Sequence, residues 1–115
     1  MSTTTIYKHG DPTMVDYVPA ADVAVGDVIV VGDTVRMAHR AYKTGEKGAL
    51  SVGGGVYQFP KAAGAGSGIA DGKKVYWDAT NKVITATAGS NKTLGYTVGT
   101  SADADTTQLV FHHPY

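Results

Sequence analysis

Short runs of Val, Thr, Ile and aromatic residues, each closed by Gly, Pro, Asp or Asn, limit what this chain can fold into. Residues 14–18 end at Pro19, residues 23–25 run into Gly26-Asp27, and Val28–Val31 stop at Gly32-Asp33. β-Branched side chains are stiff at χ1 and suit a pleated strand, while the closing residues suit tight turns. The aliphatic content agrees: 14 Val stand against 4 Ile and 3 Leu, beside 15 Gly, 15 Ala and 14 Thr. A helical bundle draws on Leu, Glu and Lys, and Glu46 is the one glutamate here. The pattern predicts an all-β protein.

At 115 residues the chain is long enough for one domain with a modest core. Ten basic residues balance ten acidic ones. That argues against nucleic acid as the main partner, because binding it requires a basic face to neutralise phosphates. Without cysteine there are no disulfides, thiolate zinc sites or cysteine nucleophiles. The longest apolar run, Val28–Val31, is far short of the roughly 20 residues that span a bilayer. The first residues lack the basic and apolar regions of a signal peptide, so no membrane crossing is expected.

Residues 1–13 are polar and irregular apart from Ile6-Tyr7, and are expected to form a flexible arm ahead of a single β domain over 14–115. Val28–Val31 is apolar on both faces and is expected to be a central strand. Residues 34–41, opening on Thr34 and Val35 after Gly32-Asp33, read as the next strand. Residues 44–48 read as a turn before a strand over 49–52, and Val56 to Phe59 form a strand that stops at Pro60. The Gly- and Ala-rich stretch 62–68 is too poor in large side chains to pack and reads as a surface loop. Residues 73–78 and 82–87 read as a hairpin about Ala79-Thr80-Asn81, and two more strands follow over 94–100 and 107–112. Eight or nine short strands with closely spaced turns predict a small barrel or sandwich.

The usual chemical signatures fail in turn. A phosphate cradle needs its glycines to feed a helix, but residues 64–68 lead into a turn and a strand. A P-loop ending at Gly72-Lys73 would need glycine at Ser67 and Ser or Thr at Lys74. Ser67 lacks the flanking glycines of a nucleophile elbow, since Ala65 and Ile69 stand there. His112 and His113, adjacent on a strand, point to opposite faces and cannot share one metal. With His9 and His39 they read as surface or interface histidines. Asp103 and Asp105 lack the glycine and glutamate of a calcium loop and read as a turn. Trp77 shares a face with Val75 and reads as a core anchor. Seven tyrosines (7, 17, 42, 57, 76, 96 and 115) exceed what a small core absorbs, which favours a protein partner. No catalytic residue, metal site or cofactor is expected.

One order of motifs is more specific. Gly26-Asp27-Val28 to Gly32-Asp33 is followed by Gly45-Glu46 and by Gly55-Val56-Tyr57-Gln58-Phe59-Pro60-Lys61-Ala62. Asp71-Gly72-Lys73-Lys74-Val75-Tyr76-Trp77-Asp78, Lys82-Val83-Ile84-Thr85 and Leu94-Gly95-Tyr96 complete it. Over residues 14–111 this resembles the DUF2190 family of small phage proteins, whose members look like capsid cement, or decoration, proteins. The resemblance implies a β-tulip-like fold akin to lambda-type decoration proteins. It also implies a homotrimer on the major capsid protein at three-fold and quasi-three-fold positions of the head, located in the virion. Some relatives carry a RecA-type recombinase label, which the missing P-loop contradicts here. A flexible arm can order on binding, so Thr5, Ile6, Tyr7 and Lys8 are expected to contact the capsid. The departures from the family are a longer N-terminal arm and the tail His112-His113-Pro114-Tyr115. The alternative is a soluble β-barrel module binding a small ligand or glycan, with Tyr57, Tyr76 and Trp77 lining the site.

Overall fold

The computed structural model describes residues 5–10 and 12–113. The arm residues 1–4 and 11, and the tail residues 114–115, lie outside them. Ten strands and no helix are present among the described residues: β1 (Ile6–His9), β2 (Thr13–Tyr17), β3 (Val28–Val31), β4 (Thr34–Ala38), β5 (Gly48–Gly53), β6 (Val56–Pro60), β7 (Lys74–Asp78), β8 (Val83–Thr85), β9 (Lys92–Thr97) and β10 (Thr107–His112). They form two antiparallel sheets, one ordered β1-β6-β10-β9-β7-β8 and the other β2-β5-β4-β3. The all-β class is as expected. The barrel is not closed, although a single parallel bridge from Lys61 to Ile84 brings the β8 edge back to the end of β6.

The main core fills the space between the sheets. Alternation along each strand turns Tyr57 and Phe59 of β6, Val75 and Trp77 of β7, Leu94 of β9 and Val110 of β10 inward, onto Val35 and Met37 of β4. Trp77 is therefore the core anchor that the sequence indicates, with Phe59 beside it at 6.1 Å between ring centroids. A second, smaller cluster of Val23, Ala38, Tyr42 and Leu50 forms separately. The bridge between Val23 and Tyr42 ties the two loop segments that contribute to it.

This second cluster explains why β3 differs from expectation. β3 is an edge strand rather than a central one, and Val30 is 38% exposed. Its neighbours are nonetheless covered on both faces, because Val28 packs on the main core and Ile29 on the second cluster. A two-sided apolar run reports cover on both faces and says nothing about lateral neighbours.

The motifs quoted above turn out to be folding devices. Asp27 accepts from the backbone N–H of Ala24 at 2.9 Å, and Glu46 from that of Lys43 at 3.0 Å. Asp78 accepts from the N–H groups of Thr80 and Asn81 and from the Asn81 side chain, fixing the β7–β8 turn. Gly95 is required by a close approach: a Cβ there would lie 1.9 Å from the carbonyl oxygen of Phe111 on β10.

The most constrained device follows β6. Lys61 is only 4% exposed, although lysine is almost never buried without partners. Its ammonium donates to the carbonyl oxygens of Ala62 and Asp105 at 3.0 Å, to that of Ala102 at 3.3 Å and to Ser67 Oγ at 3.3 Å. The carboxylate of Asp103 accepts from the N–H groups of Gly66 and Gly68, which hold its pKa below the usual carboxylate value. A Cβ at Gly68 would sit 2.8 Å from the carbonyl oxygen of Ser101. The stretch 62–68 is thus tied to residues 101–105 by polar contacts in place of apolar packing, and Asp103 belongs to a turn, as expected.

Candidate functional site

The expected capsid-contacting residues fall in and beside β1. Residues 6–9, within the span expected to be an arm, form a strand that pairs with β6 through Ile6–Gln58 and Tyr7–Tyr57. The register shifts between Tyr7 and His9. β1 is the outermost strand of the larger sheet, so its far side presents unpaired backbone groups. Ile6 is 43% and Tyr7 41% exposed, Lys8 is exposed as well, and Thr5 is buried at 5%. Three of the four nominated residues are therefore accessible, and the fourth is buried.

An aromatic cluster supports this edge. Tyr7 packs at 4.8 Å from the His39 ring and 5.4 Å from the Tyr57 ring. The Tyr57 hydroxyl donates to Ser51 Oγ at 2.8 Å and hydrogen-bonds His39 Nε2. A tyrosine hydroxyl has one proton to give, so with Ser51 as its acceptor the His39 ring is the donor at the other contact. Burial pushes the Tyr57 hydroxyl up to about 12 and pulls His39 below its ordinary value. Ser51 is fully buried. The array therefore holds the Tyr57 ring in place under β1. Between β1 and β4 lies a cleft of about 320 Å³, bordered by Ile6, Tyr7, Val25, Met37, His39 and Tyr57.

A second exposed aromatic group lies on the outer face of the same sheet. Phe111 of β10 pairs in register with Tyr96 of β9, and they are 40% and 37% exposed. His113 stacks on Phe111 at 6.1 Å and lies 5.9 Å from Tyr96.

The histidines divide. His112 and His113 do point to opposite faces, but His112 is fully buried and not at a surface or interface. Residue alternation sets them apart without saying which one enters the core. Among the described residues no three His, Asp or Glu side chains converge as a metal site. The aromatic trio of the alternative reading does not assemble either: Tyr57 and Trp77 are core residues, while Tyr76 is turned to the other face of β7. No helix among the described residues is long and apolar enough to cross a membrane. No motif marks the Lys61 cage or the Ser51–Tyr57–His39 array in the sequence. Lys61, placed between Pro60 and a run of small residues, is the one hint.

Comparison with known proteins adds one finding. A family model described as phage cement protein matches residues 8–112. No curated protein and no solved structure gives a significant match.

Proposed function

The chain belongs to the phage cement protein family, and from that premise we propose that it decorates the outside of an assembled phage head and stabilises it. Membership of this structural family suggests a non-enzymatic role at the capsid. In our reading the protein is a homotrimer seated on the major capsid protein at three-fold and quasi-three-fold positions. The observation that carries the proposal is the family match across residues 8–112. The exposed β1 edge is what supports a specific contact.

A cement protein binds where capsid subunits meet and favours the assembled state by mass action. Each contact can be weak, because a trimer engages several sites together and gains from effective concentration. The segment Thr5, Ile6, Tyr7 and Lys8 makes the capsid contact in this account. Ile6, Tyr7 and Lys8 keep exposed surface while Thr5 is buried, and the free flank of β1 offers main-chain hydrogen bonds to an extended partner. Phe111 and Tyr96 offer an aromatic surface to a neighbouring copy, of the kind enriched at interfaces.

Heads assembled without the protein and then reloaded with it test the proposal. Reloaded heads are expected to lose their contents at a higher temperature than bare heads. Equal heat resistance, or no binding to heads, would overturn it.

A further inference from the structure

Among the residues whose burial is described, His112 is the one histidine held entirely within the core, and it joins the two sheets. From β10 of the larger sheet its Nε2 reaches the carbonyl oxygen of Val35, on β4 of the smaller sheet, at 2.7 Å. A carbonyl only accepts, so Nε2 carries the hydrogen, and in the neutral ring Nδ1 is then bare. Nδ1 is buried and has no hydrogen-bond partner among the described residues. The Tyr57 ring packs edge-on against the imidazole at 6.0 Å.

The titratable groups around His112 offer a second proton nothing to balance it. Tyr57 on β6 is a neutral phenol, and His39 beyond β4 and His113 beyond β10 can only add positive charge. Val35 on β4 contributes a carbonyl that is already engaged. Among the described residues, the two carboxylates that form salt bridges, Asp16 with Lys47 and Asp33 with Lys92, are on the exposed surface. A protonated imidazole here would be a buried, uncompensated charge, which a core expels.

We infer that His112 is an acid-sensitive latch between the two sheets: neutral, it pins β10 to β4, and protonated, it forces that seam open. Burial, with smaller contributions from His113 and His39, pulls its pKa from the ordinary 6.5 down to about 4, against the upward pull of the Val35 carbonyl. Because the folded-state pKa lies below the unfolded one, the latch is fully effective above 6.5 and weakens as pH falls toward 4. Tyr57, which touches His112, also touches Tyr7 of β1. The seam therefore lies one ring from the exposed edge strand.

Two measurements test this. In the wild-type protein, long-range nitrogen NMR of the imidazoles should show His112 neutral, with hydrogen on Nε2, well below pH 6.5, until the fold itself is lost. Titration of His112 at an ordinary value in the intact fold would overturn the proposal. The second measurement follows core packing by Trp77 fluorescence during acidification, comparing wild type with His112→Gln. The glutamine amide can still donate to Val35 and cannot take up the proton, so its acid midpoint should move down. An unmoved midpoint in a folded His112→Gln protein would contradict the latch. Should that variant not fold, the wild-type NMR titration decides alone.

Discussion

The C-terminal end of β6 and the flank that it shares with β1 are finished in opposite ways. Beyond Pro60 the chain enters a cage in which a buried lysine and a turn aspartate satisfy the polar groups of two loops. Along its flank, β6 carries β1, a four-residue strand with a register shift, three exposed side chains and an open edge. One region turns its polar groups on itself, and the other leaves a strand edge available. The difference separates a folding device from a surface that a partner can use. The family match starts at residue 8, so Thr5, Ile6 and Tyr7 lie outside it, whereas the Lys61 cage is inside.

The largest effects on stability should come from the closed side. Lys61→Met removes the buried cation that four oxygens share, a loss expected at about 2 kcal/mol. Urea unfolding should show it, and a change within error would mean that the cage is only decorative. Gly95→Ala drives a Cβ into the Phe111 carbonyl. Separating β9 from β10 to relieve it should cost about 2–3 kcal/mol, read as a lowered thermal midpoint.

Acid should act at the seam between the sheets. For His112 the pKa falls from 6.5 to about 4 on folding. Full protonation of the unfolded chain then removes up to about 3 kcal/mol as pH drops through that window. Stability measured at pH 7 and at pH 4.5 should differ in this direction, and a chain more stable at pH 4.5 would break the assignment. The smallest stability effect is expected on the open side. Ile6→Asp combined with Lys8→Glu touches only exposed positions of β1, so its unfolding free energy should stay within about 0.5 kcal/mol of wild type.

The same contrast governs how much of the molecule can be read from its sequence. Val- and Thr-rich runs closed by Gly-Asp, Pro60 or Asn81 locate nine of the strands, because strand and turn preferences are local. β1 escapes, since Ile6-Tyr7 is a two-residue signal among polar neighbours and becomes a strand only by pairing with β6. The edge position of β3 is hidden for a related reason: its cover comes from loops that carry Val23 and Tyr42, far apart in sequence. Lys61 and His112 are polar residues whose burial depends on partners many residues away. For the proposed contact segment, residue types alone do not show that Thr5 is buried while Ile6, Tyr7 and Lys8 are exposed, because that depends on the pairing of β1 with β6.

The central claim is that the β1 edge is where this cement protein holds the head. The direct measurement is co-sedimentation of purified heads lacking the protein with wild type and with the Ile6→Asp, Lys8→Glu variant. At equal folded concentration the wild type should load the heads, and the variant should bind at least about tenfold more weakly, a loss near 1.4 kcal/mol. Equal loading by the two proteins would contradict the claim.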